Sequence, residues 1–358
     1  MTTTAAHNFR AALTADFYDQ SGQAKFRDLG LDEFHSQPHV LIQPFIAHQP
    51  VIQAEQLADC HGVIVLTPKV TAQSLQQAAD LLVVARFGVG YDSVDVPACT
   101  AAGVLVTITA GAVDRPVAEA TIGWMIALSH HVLVKDRLVR SGQWHERTKF
   151  MGRELRERQL GVIGLGGIGR ELLRLLQGFG MQPPLVFDPF LAPTAADQLG
   201  VRLVSLHELL QASDFVSIHC PLTDQTRGLI GAAELALMRS DAWLLNTARG
   251  GIIDEDALEA ALDAGQLAGA ALDCFTEEPV VQPSRFARFD NVLLAPHSIA
   301  WTDELFRDIG RMACRSLLDV SLGRRPHGLL NPALLSQPDF RHRWSRITGI
   351  PEAALPRE

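Results

Sequence analysis

The segment of this chain best suited to chemistry is Gly164-Leu-Gly166-Gly167-Ile168-Gly169. It follows an apolar run and opens a helical pattern. Its glycines let the backbone turn tightly and approach a pyrophosphate, which a helix N-terminus attracts. Asp188 closes the next apolar run. A carboxylate there accepts hydrogen bonds from ribose hydroxyls and repels a 2′-phosphate, which favours NAD over NADP. A glycine triplet alone is weak evidence; here strand, glycines, helix and acid coincide in order. Two further residues stand at the ends of apolar runs. Arg249 is always charged and able to grip a carboxylate with two parallel bonds. His297 is the side-chain type suited to acid–base work near neutrality. Taken singly, such an arginine is more often a surface charge, and such a histidine more often a structural hydrogen-bonder.

The elements that must carry these residues read as α/β. Apolar runs at 39–43, 62–67, 81–87 and 104–109 alternate with polar helical stretches at 53–59 and 72–80, with an earlier strand expected at 12–17. Fully apolar strands alternating with helices predict a parallel sheet covered on both faces. Residues 115–134 form an apolar helix starting near Pro116. Residues 141–159, with Trp144, form an arm or connector. A second α/β run begins at Leu160, with strands at 160–164, 185–187, 215–219, 242–247, 268–275 and 292–296. Its helices lie at 170–179, after the capping-box pattern at Ser205–Glu208, at 232–238, and between Asp254 and Gly265. A helix from Thr302 to about Leu322 closes the fold. Residues 332–358, with prolines and several arginines, read as a peripheral C-terminal tail.

The length of 358 residues suggests two domains at about 150 residues each. The hydrophobic share of 47% and charged share of 20% exclude a wholly disordered chain. Net charge −9 argues against a nucleic-acid binder, which needs a basic stripe, yet leaves room for a small anionic substrate in a local pocket. Cys60, Cys99, Cys220, Cys274 and Cys314 are odd in number and contain no Cys-x-x-Cys pair. That speaks against a disulfide framework or a metal site and for a reducing, cytoplasmic setting. The early residues Arg10, Asp16 and Asp19 interrupt any signal-peptide core. The uncharged run at 120–134 is too short to span a bilayer.

From the glycine loop outward the sequence resembles the D-isomer-specific 2-hydroxyacid dehydrogenase family, over roughly residues 60–331. The resemblance is carried by Arg86-Phe-Gly88-Val89-Gly90-Tyr-Asp92, Val117-Ala-Glu119 and His219-Cys-Pro221-Leu-Thr223. It continues in Asn246-Thr247-Ala248-Arg249-Gly-Gly251, Asp273-Cys-Phe-Thr-Glu-Glu278-Pro279 and Pro296-His297. It implies a Rossmann cofactor domain, 113–298, inserted into a flavodoxin-like substrate domain, 1–112 with 299–331, and an active site in the crevice between them.

The resemblance also assigns roles. Arg249 binds and polarises the substrate, and His297 is the acid–base. Glu278, immediately before the proline, is the carboxylate that orients the imidazole and favours its protonated form; Glu277 is the rival. Asp273 contacts the nicotinamide amide, and the backbone amides of Gly88, Val89 and Gly90 cradle the substrate carboxylate. Pro221, Thr226, Thr247, Ala248 and His219 belong to the cofactor side, although His219 is equally readable as a core histidine.

The sequence departs from the family pattern in places. Trp301 precedes Thr302 where small residues are usual, so it walls the substrate pocket or simply packs. Pro183-Pro184 lengthens the approach to Asp188. Arg115 and Lys69 are candidates for a second anionic or polyhydroxy end of a substrate, or surface charges. The activity implied is hydride transfer between NAD(H) and a D-2-hydroxy acid/2-keto acid pair, in a homodimer built through the 115–134 helix and the Trp144 arm. The competing reading is a non-catalytic NAD-sensing protein like the C-terminal-binding corepressors; a formate dehydrogenase is disfavoured by Glu278, where that subfamily carries Gln.

Overall fold

The computed structural model describes residues 8–358, so residues 1–7 of the expected N-terminal segment lie outside the described residues. The chain forms two compact units. Unit 1 comprises residues up to Val113 with Thr302–Glu358; unit 2 is Asp114–Trp301.

Unit 1 contains β1 (Phe9–Leu13), β2 (Val40–Pro44), β3 (Gly62–Val65), β4 (Val83–Arg86) and β5 (Leu105–Thr107). They form one parallel sheet in the order β2-β1-β3-β4-β5, the doubly wound order of flavodoxin-like folds. The expected strand at 12–17 thus starts earlier, and Ala15–Phe17 is instead a short 3-10 turn. The helix expected at 72–80 is a chain of turns. The Ser74 hydroxyl accepts from the Thr71 amide at 3.1 Å and the Thr71 hydroxyl from the Ser74 amide at 3.4 Å, a reciprocal capping pattern after which only turns follow.

The Asp303–Ser321 helix is capped by the Thr302 hydroxyl, which accepts from the Leu305 amide at 3.0 Å. It buries Phe306, Ile309, Ala313 and Leu317 in the unit 1 core. Residues 332–358, expected as a peripheral tail, belong to the same core. The Pro338–Thr348 helix inserts Phe340, Trp344 and Ile347, and the Trp344 indole N–H donates to the Val320 carbonyl at 2.7 Å. Buried Arg341 spends its guanidinium on the carbonyls of Leu335, Glu352, Leu355 and Pro356, which is how a buried cation is tolerated. Burial of one such large apolar side chain stabilises by about 1.5–3 kcal/mol, so this segment contributes to the stability of unit 1.

Unit 2 contains β6 (Leu160–Ile163), β7 (Leu185–Phe187), β8 (Arg202–Leu203), β9 (Phe215–Ile218), β10 (Trp243–Asn246), β11 (Gly269–Leu272) and β12 (Val292–Leu294). The parallel sheet runs β12-β11-β10-β9-β6-β7-β8. The order reverses direction between β9 and β6, the switch point where doubly wound sheets bind ligands at their carboxyl ends. β6, β9, β10 and β11 are buried along their whole length, as a sheet covered on both faces requires.

The single helix expected at 115–134 is two, Asp114–Ser129 and Val132–Arg140, bent by 58°. His131 causes the break with a left-handed backbone, φ 53°. Among the described residues no single helix is long and apolar enough to cross a membrane.

Candidate functional site

The glycine loop leaves β6 at Gly164, whose φ of 89° is a conformation that side-chain-bearing residues rarely adopt. A Cβ there would also stand 2.8 Å from the Cys220 backbone nitrogen. Gly166 caps the Gly167–Leu176 helix, so Gly167, Ile168 and Gly169 form its first turn, where backbone N–H groups lack intrahelical partners. Pro183 and Pro184 fall in the connection before β7 and do not displace Asp188 from the loop. Its Oδ2 accepts from the Leu165 amide at 2.8 Å, and its Oδ1 accepts from the Phe190 amide at 2.9 Å. The carboxylate therefore already sits against the loop that a dinucleotide would approach.

Beyond β9, His219 bonds through Nε2 to the Ser217 hydroxyl at 2.8 Å, and its buried Nδ1 has no partner among the described residues. Burial pushes this imidazole down to about 4, so it is neutral at physiological pH. The Thr226 hydroxyl donates to the Pro221 carbonyl at 2.6 Å and folds that loop on itself. Thr247 lies 3.4 Å, hydroxyl to hydroxyl, from Thr121 of the Asp114–Ser129 helix.

Arg249, Asp273, Glu278 and His297 emerge from the carboxyl ends of three neighbouring strands, β10, β11 and β12. His297 Nδ1 meets Glu278 Oε2 at 2.8 Å, while Glu278 Oε1 accepts from the Phe275 amide at 2.9 Å. Glu277 makes no such bond among the described residues. Burial acts to raise the Glu278 pKa. The hydrogen bonds from His297 and Phe275, and then the charges of His297 and Arg249, outweigh it and hold the carboxyl below its ordinary value.

His297 has φ 52°, an unusual conformation for a residue with a side chain. The segment after it is tied down by Asp273, whose buried Oδ1 accepts from the amides of Ser298 and Ile299 at 2.8 and 3.0 Å. Burial raises the Asp273 pKa against the lowering effect of those two bonds. The Arg249 turn is tied by Asn246, which accepts from the Ala248 amide at 3.0 Å and donates to the Arg249 carbonyl at 2.8 Å.

The remaining candidates are placed as follows. Arg115 lies 3.4 Å from Glu119 and 3.9 Å from Glu171, so its charge is engaged along its own helix and its neighbour. Trp301 is 57% exposed at the end of unit 2. In unit 1, Gly88 follows β4 with φ 133°, and its carbonyl accepts from the Thr109 amide at 3.0 Å. The amides of Gly88, Val89 and Gly90 donate to no group among the described residues. Lys69 is exposed at its side chain and, among the described residues, pairs through its backbone with Pro50 and Ile52.

Two features escaped the sequence reading. Asn246 could have been found as an amide ending an otherwise apolar buried strand. Asp114 sets its carboxylate against Gly167; burial first and Glu171 second raise its pKa. No sequence signal marked that contact. No cluster of His, Cys, Asp and Glu able to hold a metal ion occurs among the described residues.

Residues 122–298 match the family model described as D-isomer specific 2-hydroxyacid dehydrogenase, NAD binding domain. The chain is 36% identical to the D-3-phosphoglycerate dehydrogenase of Sus scrofa, over 97% of this chain and 63% of that protein. It is also 36% identical to the glyoxylate reductase of Korarchaeum cryptofilum, over 77% of this chain and 84% of that protein. Among solved structures, a glyoxylate reductase from Paecilomyes thermophila superposes with TM-score 0.74 at 29% identity, covering 87% of this chain and 95% of its own. The chain spans 63% of the length of the mammalian phosphoglycerate dehydrogenases it matches.

The titration of His219 has a measurable consequence. Its ordinary value of 6.5 falls to about 4 on folding. Below 6.5 the unfolded chain therefore takes up the proton first. The stability this group contributes is complete above pH 6.5 and declines as pH falls towards 4. His219→Asn is expected to flatten part of the decline in thermal midpoint between those values. An unchanged slope would mean that His219 does not titrate in this way.

Proposed function

Because this chain belongs to the D-isomer specific 2-hydroxyacid dehydrogenase family and carries that family's NAD-binding domain, we propose that it interconverts a 2-keto acid and the corresponding D-2-hydroxy acid with NAD(H). The observation that carries this reading is the His297–Glu278 bond of 2.8 Å, which joins the segments after β12 and β11, the latter strand adjoining the one that leads to Arg249. The residues present fit the cofactor. The free amides of the Gly167–Leu176 first turn suit a pyrophosphate, and the Asp188 carboxylate suits a ribose diol and disfavours a 2′-phosphate.

NADH, when bound, supplies the hydride that reaches the keto carbon. Arg249 holds the substrate carboxylate and draws electron density towards the carbonyl oxygen as negative charge develops there. His297 delivers the proton to that oxygen. Its Nδ1 is committed to Glu278, which leaves Nε2 as the nitrogen that exchanges a proton with substrate. Glu278 fixes the tautomer and ring orientation by accepting from Nδ1, and its other oxygen is anchored by the Phe275 amide. In the reverse direction neutral His297 removes the hydroxyl proton. In unit 1 the free amides of Gly88, Val89 and Gly90 suit a carboxylate oxygen. Lys69 and Trp301 remain candidates for contacting the far end of the substrate; Arg115, already paired with two carboxylates, is a weaker one.

We assign the protein to a reducing cytoplasm on its free cysteines, of which Cys99, Cys274 and Cys314 are buried. We assign it a homodimeric state on an exposed apolar surface around the second half of the bent helix. Val139, Trp144 and Met151 there are 62%, 63% and 79% exposed and line one groove with Leu138 and Phe150. Sedimentation of a Trp144→Glu variant is expected to show a monomer where the parent is a dimer; a parent that sediments as a monomer would refute the assignment.

The catalytic roles are tested by Arg249→Ala and His297→Ala in stopped-flow NADH oxidation. Each is expected to lose about 100-fold or more in hydride transfer while still binding NADH. Near-parental turnover in both variants would sink the proposal.

A further inference from the structure

β10 ends in an amide, Asn246, a residue 2% exposed whose side chain makes two hydrogen bonds and whose main chain makes a third. Its Oδ1 accepts from the Ala248 amide at 3.0 Å and its Nδ2 donates to the Arg249 carbonyl at 2.8 Å. Its own carbonyl accepts from the Asp273 amide at 3.0 Å, which ties the start of the turn to β11. On the far side of the turn, a Cβ at Gly250 would collide with the Phe275 backbone, so the loop after β11 closes that side. The Arg249 backbone is therefore held between a buried amide and a neighbouring loop, and the Arg249 Nη1 donates back to the Ala248 carbonyl at 2.7 Å.

From this arrangement we propose that Asn246 is a positioning residue for Arg249. The proposal rests on the reading that Arg249 grips the 2-keto acid. Only an uncharged amide satisfies both contacts. Alanine reaches neither group, leucine offers no polar atom, and aspartate accepts from Ala248 but has nothing to donate to the Arg249 carbonyl. With Asn246 lost, an amide and a carbonyl in a turn closed to solvent at this side chain lose their partners, and leaving such groups unpaired is costly. The turn then rearranges to recover hydrogen bonds, and the base of the arginine side chain moves with it. A planar fork that binds bidentately tolerates such a shift poorly.

The test is a cycle of four proteins: the parent, Asn246→Ala, Arg249→Lys and the double variant. kcat and KM for a 2-keto acid and the Kd for NADH are measured on each. Asn246→Ala is expected to lower kcat/KM by about 10- to 100-fold in the parent, with the NADH Kd changed by less than about 2-fold. In the Arg249→Lys background, where the fork is already gone, the same change should cost less than about 3-fold more. Equal losses in both backgrounds, or parental kcat/KM in Asn246→Ala, would overturn the proposal. Parental kcat/KM in Arg249→Lys would instead remove the reading of Arg249 on which it rests. Should Asn246→Ala not fold, Asn246→Asp decides by the same criteria, because it keeps the shape and the acceptor and removes only the donor.

Discussion

A parallel strand that ends inside a protein leaves backbone polar groups to be met by something other than another strand. At the ends of β10 and β11 that something is a buried side chain. Asn246 satisfies the turn that carries Arg249, and Asp273 satisfies the amides of Ser298 and Ile299 behind His297. The two are linked, since the Asp273 amide bonds to the Asn246 carbonyl. The positive φ of His297 persists because the backbone on its C-terminal side is held by Asp273 and its ring by Glu278. The candidate site thus depends on two short polar side chains placed where apolar strands stop.

The electrostatics follow from the same placement. The chain as a whole is acidic, at −9, but the ends of β10–β12 bring a guanidinium, an imidazole and two carboxylates together. Glu278 stays in its charged form there because its two hydrogen bonds and the neighbouring cations outweigh its burial. Asp273 is shifted the other way, since burial exceeds the effect of the amides it accepts from. Across the switch point, the acid that meets the glycine loop is Asp188, half-buried and already hydrogen-bonded to it. One half of the sheet therefore places amides and a carboxylate at the glycine loop, and the other half places a guanidinium, an imidazole and two carboxylates at its strand ends.

Much of this was legible in the sequence, and the exceptions have physical causes. The strands are short, fully apolar runs, and 185–187 coincides with β7 because Pro184 and Asp188 bracket it. The glycine loop was readable because three constraints on one backbone leave few residue choices. Residues 72–80 misled because their composition and the reciprocal Thr71–Ser74 bonds both suit a helix start, yet the chain there forms only successive turns. The 115–134 helix looked continuous because the uncharged run continues through His130 and His131, although the His131 backbone turns left-handed. The final segment looked like a tail because of its prolines and arginines. Yet Phe340, Trp344 and Ile347 are spaced four and then three residues apart, a helical face that a period count recovers. Asn246 was hidden in plain view: an amide after Trp-Leu-Leu reads as the end of a strand, and only the structure shows that both of its polar atoms are used.

The most direct measurement is steady-state NADH and NADPH oxidation by the full chain across a panel of 2-keto acids, with the chirality of each product determined. The account predicts turnover with at least one keto acid, preference for NADH, and a D-2-hydroxy acid as product. Tight NADH binding without turnover on any member of the panel, or an L product, would contradict it.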